Sequence, residues 1–379
     1  MLDTNKRGPM RRRTVLQATA GAAIVGTMGC ASAVSSSEDD DATEFRRDDS
    51  PARFSPAIRN ADPLKVGIVS DVHWRDEPRP QHIVSKEVAK ENLRTAATEL
   101  NEWGADFVVQ QGDLADGCCS RAERPPSAIR RGIREAKAFL DDVLNAPVHH
   151  VLGNHEYMWP NADIERTYSI YGWDRLEDTF YTVKRKGITF AVLNSAYTET
   201  NRKQSATDHR IPRECLYWLR DVVAETDGPL FSVSHVPLTS GDGTRYDSTR
   251  GAAAALDHLH SAPGYVGGFF GHSHHAPNWK RVRVQTDSRG SPHVHTCSPN
   301  YFAEGDAVRH SRSSERIVPF TKIAISSAGW QVIASHADWD VRTSSNWRYE
   351  TNALRSLWRD DRSSDAADWV RSGEQLRPL

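Results

Sequence analysis

Apolar residues fall along this chain in short β-branched runs separated by longer stretches with helical spacing. The first run, Leu64-Lys65-Val66-Gly67-Ile68-Val69-Ser70, stops at a polar Asp71 and predicts a strand. Leu93, Ala96, Leu100 and Trp103 then recur at helical intervals, which predicts a helix over 85–103 closed by Gly104. The alternation continues with a strand over 107–111, a helix over 127–144 and a strand over 148–152. A hairpin over 180–184 and 188–193 follows, then a helix over 214–223 with Leu216, Leu219 and Val222 on one face. Strands over 230–234 and 266–270 flank a helix near 251–260, and late strands fall near 294–297, 318–325 and 330–334. Strands alternating with helices in this way predict an α/β fold with a mixed sheet covered by helices.

The ends of the chain break the pattern. Arg11, Arg12 and Arg13 precede a short Ala/Gly-rich apolar stretch over 18–29, the layout of an export signal over 1–33 rather than of a spanning helix. Arg12-Arg13-Thr14-Val15-Leu16 resembles the twin-arginine export signal. Two endings are expected to compete. Thr27-Met28-Gly29-Cys30 resembles a lipobox, which would leave a lipidated Cys30 as membrane anchor, and Ala31-Ser32-Ala33 resembles an ordinary cleavage site. Either ending puts the protein outside the cytoplasm, in a periplasm or at a cell surface; an uncleaved apolar helix is the plainer alternative. Residues 34–62 read as a flexible acidic spacer, residues 63–342 as the folded domain, and 343–379 as an amphipathic helical tail carrying Trp347, Leu354, Leu357, Trp358 and Trp369. Such a tail more often packs on its own core than on a partner or membrane.

Of the 379 residues, 38% are hydrophobic and 26% charged, with a net charge of -2, so nothing in the charge balance draws the protein to nucleic acid. Five cysteines show no zinc-finger spacing. The adjacent Cys118 and Cys119 are candidates for disulfides or for buried thiols, and spacing does not choose between them.

Five predicted strands end in residues suited to metals or protons. They deliver Asp71-Val72-His73, Gly112-Asp113-Leu114-Ala115-Asp116, Gly153-Asn154-His155-Glu156, Ser234-His235 and Gly271-His272-Ser273-His274. Ligands of open α/β sheets bind beyond the carboxyl ends of the strands, so five segments would converge. Extended alternation would let Asp71 and His73, and likewise His272 and His274, point the same way. Asp113 is the natural bridge between two cations. The mixed oxygen and nitrogen donors suit Mn, Fe or Zn better than a soft site. A lone histidine is more often a hydrogen-bonded core residue, but His235 gains weight from its place in the series. Asp116 is by itself as readily a turn residue, and His149, His150, His293 and His295 are expected to pack.

The ordered set resembles the calcineurin-like metallophosphoesterase superfamily, whose pattern runs D-x-H, G-D-x-x-D, G-N-H-E/D, a lone His and G-H-x-H. The blocks stand in order from Asp71 to His274, with Ser234 where Gly usually precedes the lone His. The resemblance implies a four-layer α/β fold, with mixed β-sheets packed as a sandwich flanked by helices and a dimetal site at the strand C-terminal ends. It implies one metal on Asp71, His73, Asp113 and His274, and another on Asp113, Asn154, His235 and His272. A metal-bridging hydroxide would attack phosphorus, His155 would serve the leaving oxygen, and Asp116 would orient His155. Trp74, Arg75, Arg79, Tyr157, Trp159 and His275 flank the blocks as candidate substrate contacts for a small phosphorylated or nucleotide substrate. The aromatics and arginines are similar to features of the manganese-dependent ADP-ribose/CDP-alcohol diphosphatases. Asp116 stands where purple acid phosphatases carry Tyr, which argues against a Tyr-ligated ferric site. A broad phosphomonoesterase and a non-catalytic metal-binding surface module are the competing expectations.

Overall fold

In the computed structural model the chain forms, in order, β1 (Arg47–Asp48), α1 (Pro56–Asn60), β2 (Leu64–Val69), α2 (Lys86–Trp103), β3 (Phe107–Gln111), α3 (Pro126–Val143), β4 (Val148–Val151), α4 (Asn154–Tyr157) and α5 (Ile164–Tyr168). There follow β5 (Tyr181–Arg185), β6 (Ile188–Val192), α6 (Arg213–Ala224), β7 (Leu230–Ser234), α7 (Ala252–Leu259), β8 (Tyr265–Phe270), β9 (Arg283–Thr286), β10 (Pro292–His295), β11 (Ile317–Ser326), β12 (Gly329–Asp338) and β13 (Ser344–Thr351). The structure describes residues 47–48, 54, 56–76, 85–117, 126–157, 164–198, 209–239, 249–272, 283–296, 298–299, 317–338 and 344–351.

Local chemistry accounts for the element ends. The Ser85 hydroxyl accepts from Val88 N at 3.4 Å and caps α2, and Gly104 closes it at φ 72° with its N–H on Leu100 O and Asn101 O. Ile129, Ile133, Ala136 and Leu140 give α3 one buried stripe, and Cys215, Leu219 and Val223 do the same for α6. Burial pushes the Cys215 thiol up to about 12, which makes it an inert packing residue.

The strands form two mixed sheets, in the orders β1-β13-β12-β11-β2-β3-β4 and β5-β6-β7-β8-β10-β9. β2, β3 and β4 run parallel, as do β6, β7, β8 and β10. Residues of both sheets, among them Val66, Ile68, Phe190, Phe231, Phe269 and Trp330, share one buried cluster. Phe231 lies at its heart, 5.5 Å from Phe190 and 5.7 Å from Phe269. Each such ring contributes about 1.5–3 kcal/mol of transfer free energy. Leu93, Leu100, Ile133 and Leu140 of α2 and α3 cover the outer face of the first sheet. Leu219 and Ala255 of α6 and α7 cover that of the second. The result is the four-layer α/β sandwich flanked by helices.

Two boundaries differ from the sequence reading. Within the expected spacer, Pro56–Asn60 is helical, and Phe54 and Ile58 are buried against Ala324 and Ile333. Two apolar anchors four residues apart are hidden by the charged average of the window. Within the expected helical tail, Ser344–Thr351 is a strand paired antiparallel with β12, Trp347 opposite Ala334 and Tyr349 opposite Val332. Trp347, Tyr349 and Thr351 alternate with period two and favour a strand, and β12 offers its edge as a partner. The export signal, Cys30 and 352–379 lie outside the described residues. No helix among the described residues is long and apolar enough to cross a membrane.

Candidate metal centre

The loops after β2, β3, β4, β7 and β8 meet at one edge of the sandwich. The β2 loop runs along the β3 loop through main-chain bonds from Asp71 N to Gly112 O (3.1 Å), His73 N to Asp113 O (2.9 Å) and Trp74 N to Leu114 O (3.0 Å). Gly271 N reaches His235 O at 3.0 Å and ties β8 to β7. The backbone is not the extended ribbon that alternation predicts. Asp71, His73, Asp113 and His272 have φ of 53°, 49°, 49° and 70°, a left-handed region rarely used by residues other than glycine. Their side chains converge because the chain coils there, and the cross-loop bonds hold the strain in place.

Asp113 is central. Its Oδ1 accepts from His155 N at 2.8 Å. Its Oδ2 is buried with no hydrogen-bond partner, yet faces His235 Nε2 at 3.3 Å, His155 Nε2 at 3.7 Å and His73 Nε2 at 3.8 Å. Asp71 Oδ1 stands 4.0 Å from both His73 Nε2 and His235 Nε2. Asn154 Oδ1 lies 3.0 Å from His235 Nε2 and 2.7 Å from His272 Nδ1. Asp113 thus belongs to two candidate ligand groups, one with His73 and His155 and one with His235 and His272.

The donor set fits cations. Ligand atoms about 2.0–2.2 Å from one ion stand roughly 3–4 Å apart, and the separations here run from 2.7 to 4.0 Å. His235 Nδ1 donates to Gln111 O at 2.8 Å, which turns Nε2 toward the centre as a ligating imidazole requires. The potential points the same way. Burial opposes charge on Asp113, but the imidazoles of His155, His235 and His73 hold its carboxyl well below the usual range. Burial likewise lowers His235, and Asp113 and Asp71 outweigh it, raising the imidazole to about 9. The protein itself therefore favours positive charge here.

Glycine and Glu156 make the close packing feasible. A methyl group at Gly153 would collide with the Asp113 carboxylate and its N–H. Gly112, at φ 87°, would drive one into the His235 ring. Glu156, to which the sequence reading gave no role, accepts at Oε2 from Gly153 N (2.7 Å) and Asp113 N (3.1 Å), and at Oε1 from Leu114 N (2.8 Å). It clamps the β4 loop to the β3 loop. The signal for it is local: a glutamate at the third helical position reaches back to the N-terminal amide, as in a capping box. Burial and the Asp113 charge raise its carboxyl above the ordinary value, with the Gly153 N–H opposing them. Glu156→Gln puts one carbonyl where three amides need acceptors. It is expected to cost about 1–3 kcal/mol in urea unfolding and about 10–100-fold in metal affinity by competitive chelation. Unchanged affinity would show that the clamp does not shape the centre.

Beside the centre, His155 Nδ1 donates to Asp116 Oδ1 at 3.0 Å. Gly117 N stands 3.1 Å from the same nitrogen, and the charge-assisted bond to the carboxylate prevails. Burial lowers the His155 pKa, but Asp113 and Asp116 outweigh it and leave the pKa above its ordinary value. Asp116 is held far below the usual carboxylate range despite burial, by His155, His73 and Arg75.

The expected substrate contacts divide. Arg75 Nη1 pairs with Asp116 Oδ2 at 2.6 Å, so it braces the His155 partner. Trp74 is only 1% exposed and donates from Nε1 to Glu135 Oε2 at 3.3 Å. Tyr157 is fully buried, its hydroxyl between Tyr168 at 3.0 Å and Asn194 at 2.6 Å. Neither ring has a face for a base, because each fills the core behind its loop. His274, His275, Arg79 and Trp159 lie outside the described residues. The sequence also gave no sign of His209, a buried residue whose ring stands 5.1 Å from that of His272. Of the unassigned histidines, His149 packs on Phe107, His150 on Tyr171 and His295 on Phe270, and His293 bonds Asp287 at 3.1 Å.

A sequence profile described as calcineurin-like phosphoesterase matches residues 64–276. No curated protein sequence matches the chain. Among solved structures, the fold is similar to a dimetal phosphatase from Danio rerio at 18% identity, with a TM-score of 0.53 over 72% of this chain and 96% of that one. A purple acid phosphatase from yellow lupin (Lupinus luteus) seeds aligns at 13% identity, with a TM-score of 0.44 over 76% of this chain and 54% of that one.

Proposed function

This chain belongs to the calcineurin-like phosphoesterase family, and from that premise we propose that it hydrolyses a phosphodiester or a nucleotide diphosphate at a centre of two metal ions. The observation that carries the reading is the buried, unpartnered Asp113 Oδ2 faced by three imidazoles. Asp71, His73 and Asp113 would hold one ion, with His274 as the further ligand expected from the sequence. Asp113, Asn154, His235 and His272 would hold the other. When bound, the ions supply Lewis acidity at the phosphate oxygens and make water acidic enough to attack at neutral pH. Mn, Fe and Zn suit the donor set.

His155 supplies what the ions do not. Its Nδ1 is fixed by Asp116, so Nε2 holds a proton toward the Asp113 side of the centre and delivers it to the departing oxygen. Diesters and diphosphates with basic leaving groups need that proton most. With Trp74 and Tyr157 in the core, a nucleobase preference has lost two of its supports, and the reading rests on the metal centre. A panel of ADP-ribose, CDP-choline, a cyclic nucleotide, a phosphomonoester and a chromogenic diester, each with Mn, Fe, Co, Zn and Mg, tests it. Chelator-sensitive turnover of a diester or diphosphate above the monoester is expected. Turnover of monoesters alone would move the reading to a phosphomonoesterase, and no turnover would move it to a non-catalytic module.

The His155–Asp116 pair sets a pH dependence. Activity that needs protonated His155 holds below its raised pKa and falls as pH climbs through it. Asp116→Asn removes one of the carboxylates that raise it. The alkaline limb of kcat is therefore expected to move to lower pH by about one unit. A limb that stays in place would detach His155 from the proton transfer. We also propose export, on the arginine-led apolar segment over 1–33. Mass spectrometry of the cell-made protein is expected to find it starting at a lipidated Cys30 or after Ala33, and an intact N-terminus would overturn this.

A further inference from the structure

A cavity lies at the far end of β2. Lys65 stands near the start of that strand and Asp71 just beyond its end, about 20 Å away at the usual rise per residue. There, α1, the last turn of α2, β2 and β11 border an open cavity of about 320 Å³ lined by Phe54, Arg59, Pro63, Lys65, Trp103, Lys322 and Ala324. Three cations line it, and no acidic residue does among the described residues. We propose that this cavity binds a small soluble phosphate-type anion carried on a compact apolar body.

The cations are held in place. Lys65 Nζ donates to Trp103 O at 2.9 Å and stands 5.8 Å from the Trp103 ring centre, with Lys322 Nζ 5.9 Å from the same ring. Phe54 stacks on Trp103 at 5.3 Å, and the Trp103 ring lies within cation–π reach of both ammonium groups. Lys322 also pairs with Glu99 at 3.1 Å, and Asp106 is taken by the Lys65 main-chain N–H at 2.8 Å and by Lys186 at 3.9 Å. Each ammonium carries three donors, so both lysines keep N–H groups beyond these bonds. Arg59 is exposed, with no acidic partner among the described residues, and brings a planar fork suited to phosphate oxygens. Lys322 alone of the three has a carboxylate partner among the described residues, and the like charges left on one cavity repel unless an anion joins them. The walls of Phe54, Pro63 and Ala324 are apolar, and the volume sits at the lower end of small-molecule sites. A phosphate on a ring-sized body meets both features.

The test is calorimetric titration of the full, metal-loaded chain with phenylphosphonate, which carries a C–P bond in place of a phosphoester. Inorganic phosphate and vesicles of phosphatidylglycerol in phosphatidylcholine serve as parallel arms. Wild type is expected to bind phenylphosphonate at the metal centre and at the cavity. Arg59→Ala combined with Lys322→Gln is expected to weaken the cavity site by about tenfold or more, with unchanged turnover of a chromogenic ester. Asp113→Asn is expected to lose the other site and keep this one. Inorganic phosphate, lacking the apolar body, is expected to bind the cavity more weakly. Should Lys322→Gln lower the melting midpoint, the exposed Arg59→Ala alone carries the test. Binding confined to a single site that Asp113→Asn abolishes would overturn the proposal. So would binding to anionic vesicles without binding of phenylphosphonate, which would make the feature a lipid contact.

Discussion

Asp113→Asn is expected to lose both metal ions together and reduce kcat/KM by on the order of a thousandfold or more, about 4 kcal/mol of transition-state stabilisation. The geometry makes this more severe than the loss of one charge. The wild-type Oδ1 takes the His155 main-chain N–H, and the asparagine carbonyl inherits that bond. The amide NH2 then occupies the position of Oδ2, aimed at His73, His155 and His235. A hydrogen-bond donor replaces an anionic oxygen at the point shared by the two groups. The fold is expected to persist, because Glu156 bonds the main chain of Asp113 and not its side chain. Metal content by mass spectrometry and initial rates decide the matter. A variant holding two ions at wild-type rate would remove Asp113 from the centre.

His155→Ala is expected to divide binding from chemistry. His155 Nε2 is 3.7 Å from Asp113 Oδ2, close enough for His155 to fall within a candidate ligand group, so its role as proton donor has a direct rival. Asp116 argues for the donor, because its carboxylate takes the Nδ1 bond at 3.0 Å and, with Asp113, favours a protonated ring whose Nε2 proton is available to a leaving oxygen. The expected result is unchanged metal content and a rate lower by about 10²–10⁴-fold on esters with alkoxide leaving groups. A nitrophenolate ester, whose leaving group departs without a proton, should be affected far less. Loss of one ion with equal damage to both esters would make His155 a ligand.

Much of this was legible in the sequence. The runs at 64–69, 107–111, 148–151, 230–234 and 265–270 are strands, and each is followed by a residue of the centre, because hydrophobic period and turn chemistry are properties of neighbours in the chain. What failed depends on neighbours far away in sequence. Trp74 and Tyr157 adjoin the metal motifs, and adjacency suggested substrate contact. Both are buried, however: Trp74 packs on Phe139 and Tyr157, at the end of α4, on Tyr168. The tail over 344–351 carried both a helical and a strand pattern, and the edge of β12 decided between them.

The sequence by itself determined which residue types stand at the strand ends, in what order, and hence a candidate centre for cations. Those choices are written in local composition and spacing, which a linear reading recovers. The tertiary structure alone decided how the side chains converge. Asp71, His73 and Asp113 take left-handed backbone that their own propensities disfavour, and bonds between loops some forty residues apart, from Asp71 to Gly112 and from Asp113 to Glu156, hold them there. It alone also gathered Arg59, Lys65 and Lys322 around one cavity, because packing β11 beside β2 joins residues that no window of sequence contains.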